Sequence, residues 1–171
     1  MRLYILLLYS RETTIHYIQA MQLTGKKAPA LTLQDQDGVS ISLADYLGKK
    51  VLLYFYPKDD TPGCTKEACN FRDRLNELQQ HGVQVLGVSK DSVTSHKAFA
   101  DKFQLNFPLL SDESTDTIQA YGVWKEKSMF GKTYMGISRD SFLIDETGVV
   151  QKHYHKVKPA KHVDEVIKDL T

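Results

Sequence analysis

The chain reads as an α/β domain: a mixed central sheet flanked by helices, entered through an N-terminal β-hairpin. Three observations carry that reading. Apolar runs of strand length alternate with segments of helical period through the middle of the chain, the order that crossover connections produce. Asp37-Gly38 lies between two short extended stretches and suits a hairpin turn. Two late strands are separated only by Glu146-Thr147-Gly148, so they form a second hairpin.

At 171 residues the chain is long enough for one domain with a full core. A hydrophobic content of 42% and a charged content of 25% exclude a disordered chain. The formal net charge is +1, from 22 basic and 21 acidic residues. No broad field then draws the molecule to nucleic acid or to an acidic membrane, and a small substrate has to be recognised locally.

Residues 1–20 stand apart as an N-terminal extension. The run LYILLLY is far too short to span a bilayer, which takes about 20 apolar residues. An upstream start or a dispensable extension is the preferred reading; a weak export signal and a short extra helix are the alternatives. From Met21 to Thr171 the chain is one compact unit without linker or repeat.

Within that unit, Ala30 to Leu43 gives the first hairpin, and Val51 to Tyr56, apolar or aromatic throughout, gives a central strand covered on both faces. The next helix places Cys64, Ala68, Phe71, Leu75 and Leu78 on one stripe, with Cys69 on the polar flank near Asp73. Lys66, Glu67 and Arg72 read as a solvated helical face. Val83 to Ser89 is a strand, and Ser95 to Phe103 its helix. Phe107 to Leu110 is short and extended, and Ser114 to Tyr121 helical. A loop carrying Trp124 (as a packing residue), Gly131 and Gly136 precedes strands at Ser141–Asp145 and Val149–His155. Pro159 opens a final amphipathic helix with Val163, Val166, Ile167 and Leu170.

The chemistry is concentrated in residues 51–73, VLLYFYPKDDTPGCTKEACNFRD. Thr61 suits an N-cap and Pro62 the first helical position, so Cys64 sits at a helix start. A thiol there lies near the positive end of the helix dipole and near unpaired backbone N–H groups, which favour the reactive thiolate. Inert core cysteines and a structural disulfide are poorer readings. If Cys64 and Cys69 are both helical, their Cα atoms lie about 8 Å apart and their side chains diverge, so they cannot be bridged without unwinding the first turns. A metal site is disfavoured by the cysteine spacing, and His153 and His155, alternating along a strand, read as surface histidines on an edge. Two cysteines without a disulfide framework fit a reducing compartment, taken as the cytoplasm. No cofactor is expected, since the chain has no Gly-rich nucleotide loop and no C-x-x-C.

Pro57, Thr61 and Cys64 reproduce a P-x-x-x-T-x-x-C motif. With YPKDDTPGCTKEACNFRD, LGVSKDS (86–92), NFPLLSDE (106–113), YGVWKEK (121–127) and GKTYMGISRDSFLID (131–145), the chain resembles the Q-type, or bacterioferritin comigratory protein, subfamily of peroxiredoxins. The resemblance runs from about Met21 to the C-terminus. It implies a thioredoxin-like fold and a thiol-dependent peroxidase that reduces hydrogen peroxide and organic hydroperoxides. It implies Cys64 as the attacking thiol, Arg139 beside the thiolate, the Thr61 hydroxyl on the peroxide oxygen, and Cys69 as the resolving thiol in an intramolecular disulfide recycled by thioredoxin. Pro57 would narrow the pocket and keep water out. Intramolecular resolution makes a second subunit unnecessary, so a monomer is expected. Asp140 departs from related sequences, which often carry a small hydroxyl residue there; an acidic neighbour is a candidate competitor for Arg139, although adjacent strand side chains point to opposite faces. The other readings are a general thiol–disulfide oxidoreductase, disfavoured by the wide cysteine spacing, and a redox-sensing or chaperone-like interaction protein switched by oxidation of Cys64.

Overall fold

The computed structural model of the chain describes residues 23–171. The extension expected over residues 1–20 lies outside them. The entry hairpin pairs β1 (Thr32–Gln34) with β2 (Ser40–Ser42), Leu33 opposite Ile41, around a turn in which Gly38 takes φ +76°. Glycine adopts that conformation without steric cost. A 3-10 turn over Leu43–Tyr46 leads into β3 (Lys50–Phe55). Then follow α1 (Pro62–Gln80), β4 (Val83–Ser89), α2 (Val93–Phe103), β5 (Leu109–Ser111) and α3 (Asp116–Ala120). The chain continues with β6 (Trp124–Met129), β7 (Lys132–Ile137), β8 (Ser141–Ile144), β9 (Val150–Tyr154) and α4 (His162–Leu170).

Among the described residues the main sheet has seven strands in the order β2-β1-β5-β4-β3-β8-β9. Strand β3 runs parallel to β4 and antiparallel to β8, so the sheet is mixed, as the sequence predicts. Alternation along β3 divides the core between two faces. Leu52, Tyr54 and Tyr56 pack with Phe71 and Leu78 of α1, Phe99 of α2 and Val166 of α4. Val51, Leu53 and Phe55 pack on the other side with Ile118, Tyr121, Phe142 and Val150. Both faces are covered, which is why Val51 to Tyr56 carries no polar side chain except two tyrosine hydroxyls. Phe71 is 0% exposed at the centre of the first face, and truncating it to alanine would cost about 3–5 kcal/mol.

One stretch departs from expectation. The segment read as a loop around Trp124, Gly131 and Gly136 is an antiparallel hairpin, β6 with β7, in register from Trp124↔Ile137 to Met129↔Lys132. Phe130 and Gly131 both take positive φ, +52° and +75°, the combination that reverses a tight two-residue turn. Helix α4 also begins later than expected: Pro159 sits in a turn closed by His162 N–H on the Lys158 carbonyl. No described helix is long and apolar enough to cross a membrane.

Candidate active site

After β3 the chain leaves the sheet through Tyr56 and the half-buried Pro57, turns, and re-enters as α1. Asp59 pins this turn. Its buried carboxylate accepts from the Tyr56 hydroxyl (2.7 Å) and the Ser95 hydroxyl (2.7 Å) and lies 2.8 Å from His96 Nδ1; its N–H donates to Asp91 Oδ2 (2.9 Å). Burial alone would push the Asp59 carboxyl up, but hydrogen bonds to His96, Tyr56 and Ser95 outweigh it and hold the group below its ordinary value. Asp60 is held at φ +54°, a costly conformation for a non-glycine residue, and its side chain meets Lys102 Nζ at 2.6 Å.

Thr61 occupies the N-cap position with extended backbone, and Pro62 the first helical position. The expected side-chain cap is absent: the Thr61 hydroxyl donates to the Lys58 carbonyl (2.9 Å). The tight turn carries that carbonyl within reach, and proline at the first position leaves one fewer N–H to cap.

Cys64 is 2% exposed, in the first turn of α1, where backbone amides have no intrahelical acceptor. Its Sγ accepts from Arg139 Nη2 at 3.4 Å. The two approach because residue 63 is glycine: a Cβ there would come within 3.2 Å of Arg139 Nη2. Arg139 lies just ahead of β8. Burial would lower its pKa, and the Glu67 carboxylate and the Cys64 sulfur more than reverse this, so the guanidinium is held charged more firmly than usual.

Glu67 corrects the sequence reading. It was expected on the solvated face with Lys66 and Arg72, yet it is 1% exposed. Three residues beyond Cys64, it shares the inward stripe, and its charge is matched by partners far along the chain. Oε2 accepts from Arg139 Nη1 (2.5 Å), and Oε1 lies 2.7 Å from His162 Nδ1. His162 Nε2 in turn lies 2.6 Å from Ser141 Oγ. A continuous chain, buried except at the partly exposed Arg139, therefore runs Ser141–His162–Glu67–Arg139–Cys64. Lys66 is exposed as expected, and Arg72 is half-buried, donating to Asp73 (2.8 Å) and to the Phe103 carbonyl (2.6 Å).

Asp140 does not compete for Arg139. The residues are adjacent, so their side chains leave on opposite faces. Asp140 Oδ2 lies 2.8 Å from both His153 Nε2 and His155 Nδ1, and Oδ1 accepts from Ser138 Oγ (2.5 Å) and Lys156 N–H (3.2 Å). Strand β9 is an edge of the sheet, as the sequence suggests, but the two histidines do not face solvent. Their side chains are 5% and 24% exposed, because register sets His153 beside Phe142 and stacks the rings at 4.5 Å. Asp140, His153 and His155 stand close enough to share a metal ion, but Lys125, whose charge bears on Asp140, would oppose a cation.

Cys69 lies five residues along the same unbroken helix, an axial rise of about 7.5 Å from Cys64, and is half-buried. Both thiols are free. Lys127 of the hairpin is a site neighbour the sequence reading missed. It is half-buried with Nζ donating to the Ile137 carbonyl, and burial and Arg139 lower its pKa while Cys64 raises it. Glu67 and His162 were also missed. Their positions on the inward stripes of α1 and α4 were the available signal.

Thiol redox chemistry on a thioredoxin-like sheet is the class that this fold and this site define. Residues 24–153 match the AhpC/TSA family, and the chain belongs to it. It is similar to the putative peroxiredoxin bcp of Coxiella burnetii, 55% identical over 143 residues that cover 84% of this chain and 95% of that protein. Peroxiredoxin Bcp of Escherichia coli K12 is 49% identical over 143 residues, covering 84% and 92%. Among solved structures, that of the Xanthomonas campestris bacterioferritin comigratory protein, described by its alkyl peroxide reduction activity, matches with TM-score 0.78 and 42% identity over 82% of this chain and 89% of that one. The protein is a peroxiredoxin of the Q type, a thiol-dependent peroxidase that takes peroxides and is served by a thioredoxin-type reductant.

Proposed function

We propose that Cys64 is the peroxidatic cysteine and Cys69 the resolving one, in a cycle that reduces hydrogen peroxide and organic hydroperoxides in the cytoplasm of the cell. The single observation that carries the reading is Cys64 Sγ, buried in the first turn of α1, 3.4 Å from the guanidinium of Arg139. The thiolate attacks the outer oxygen of R–O–O–H, a sulfur–oxygen bond forms as the oxygen–oxygen bond breaks, and RO⁻ leaves to take up a proton. Arg139 and the Cys64 backbone N–H stabilise charge on the oxygens in flight, the role of an oxyanion hole. Thr61, its hydroxyl proton on the Lys58 carbonyl, has acceptor lone pairs for the peroxide O–H. Pro57 walls the pocket and brings no N–H that would hold water there. The alkyl peroxide activity named for the Xanthomonas relative supports organic hydroperoxides as substrates.

The product is the sulfenic acid Cys64–SOH. Attack by the Cys69 thiol gives the disulfide and releases water. A thioredoxin dithiol then reduces it by exchange, taking the disulfide onto itself. The protein works as a monomer, because both thiols stand on one helix.

A stopped-flow peroxide assay with thioredoxin tests the assignment. Cys64→Ser abolishes peroxide reduction. Cys69→Ser keeps the first oxidation, stalls as a sulfenic acid and turns over only with small thiols. Equal loss of the first step in both variants would reject the division of labour. Oxidation without sustained turnover in the wild type would favour a sensor instead.

A further inference from the structure

Glu67 raises a problem for the thiol site. A buried carboxylate next to an arginine tends to take it in a two-point pairing, both oxygens on both terminal nitrogens. Here that would draw Arg139 Nη2 away from Cys64. The structure shows a one-point pairing instead: Oε2 meets Nη1, and Nη2 is turned to the sulfur. The other oxygen, Oε1, is occupied by His162 Nδ1 at 2.7 Å. A carboxylate only accepts, so Nδ1 donates, and Ser141 Oγ, 2.6 Å away, completes the ring at Nε2. Glu67 and His162 side chains are both 0% exposed, so no water competes for either.

The imidazole has little freedom to move. Phe71 of α1 stands edge-on to it at 5.0 Å and Tyr154 of β9 at 5.8 Å. Around it, the segment before α4 is tied to the site at two further points. Val157 N–H donates to the Arg139 carbonyl (3.0 Å), and Asn70 Nδ2 to the Pro159 carbonyl (3.2 Å).

We propose that His162 is a positioning residue for the peroxide reaction: by holding one oxygen of Glu67, it limits the carboxylate to a single bond with Arg139 and leaves the second guanidinium nitrogen for the Cys64 sulfur. The inference rests on Cys64 as the attacking thiol. Ser141 acts at one further remove, fixing the ring. Without His162, Oε1 is buried with no donor, and the nearest remedy is the second nitrogen of Arg139.

The test is the single-turnover rate of peroxide oxidation of the full chain with hydrogen peroxide. His162→Phe keeps the aromatic packing and removes the donor. It slows oxidation roughly 10- to 100-fold, the usual loss when a group that orients a site residue is removed. His162→Asn, whose amide nitrogen can stand in for Nδ1, recovers most of that rate. The double variant Glu67→Gln with His162→Phe is no slower than Glu67→Gln alone, because the histidine acts only through the carboxylate. A wild-type rate in His162→Phe, no rescue by asparagine, or independent losses in the double variant would each overturn the proposal. Should the phenylalanine variant not fold, Ser141→Ala tests the same chain from its far end: a severalfold slower oxidation is expected, and an unchanged rate overturns it. Cys64→Ser in the same assay keeps the two questions apart, since residual oxidation there would defeat the site assignment and not the role of His162.

Discussion

Arg139 and Asp140 are neighbours in sequence that serve opposite faces of the sheet, each inside a cluster of a carboxylate, histidine and serine. On the Asp140 face, donors are plentiful: His153, His155, Ser138 and the Lys156 N–H converge on one carboxylate. That cluster ties β9 and the following turn to β8. On the Arg139 face the partners are fewer, and each takes one bond: His162 on one oxygen of Glu67, Arg139 on the other, and one guanidinium nitrogen left over for sulfur. The same kinds of side chain make a staple when every group is spent inside the cluster. On the other face one guanidinium nitrogen is left unspent and meets a thiol.

The largest separation between the two faces is in rate. Arg139→Ala slows oxidation of Cys64 by about 100- to 1,000-fold, the scale for losing one donor to a developing oxyanion. Stopped-flow oxidation at fixed pH measures it. A change of less than about threefold would mean that the helix start alone suffices.

The next effect is conformational and confined to the Arg139 face. The thiols cannot meet across a formed turn, so the disulfide requires α1 to open from roughly Gly63 to Phe71. Opening takes Glu67 away from Arg139 and His162 and exposes Phe71, so the oxidised protein is the less stable form. Hydrogen exchange on reduced and oxidised protein reads this directly. Amides from Lys66 to Phe71 lose protection on oxidation while those of β8 and β9 keep it; unchanged protection in the helix would contradict the opening.

The Asp140 face shows up in stability. Asp140→Asn destabilises by about 1–3 kcal/mol, since buried donors lose an ionised acceptor, and leaves oxidation of Cys64 within about twofold of wild type. Acid removes the effect. Burial pushes the Asp140 carboxyl up, but hydrogen bonds from His153, Ser138 and His155 and the Lys125 charge bring it well below the usual carboxylate range. A carboxyl depressed in the folded state contributes stability above its unfolded pKa of about 3.9 and loses it as pH falls toward the folded value. The gap between wild type and Asp140→Asn in urea unfolding therefore narrows below about pH 4. A gap that widens in acid would reverse the sign of the argument. Smallest of all is Arg72→Ala: the pair with the exposed Asp73 contributes little, the stability loss comes mainly from the bond to the Phe103 carbonyl, and the oxidation rate does not change.

Much of this was legible in the sequence wherever a local rule decides the outcome. The apolar run Val51–Tyr56, the Asp37-Gly38 turn and the stripe Cys64–Ala68–Phe71 follow from alternation, turn chemistry and helical period. The position of Cys64 in the first turn of α1 followed from Thr61 and Pro62, even though Thr61 turns its hydroxyl to Lys58 and not to the helix. The hairpin β6–β7 was not legible because most of it is exposed, with Met129, Phe130, Tyr134 and Met135 all turned to solvent, so no buried face imposes alternation. Glu67 was misread for a different reason. A carboxylate can be buried only if a cation and a donor reach it, and these arrive from Arg139 and His162, 72 and 95 residues away. His153 and His155 likewise depend on Asp140, whose departure from related sequences was visible but whose partners were not.

The most direct measurement is single-turnover peroxide oxidation of Arg139→Ala and Asp140→Asn side by side, each with its urea unfolding curve. If thiol chemistry is run from the α1 face, the two variants part in rate: Arg139→Ala loses at least about 100-fold in rate along with the stability of its pairing with the buried Glu67, and Asp140→Asn loses stability but keeps its rate within about twofold. Equal rate losses in the two variants, or a rate loss confined to Asp140→Asn, would contradict the account.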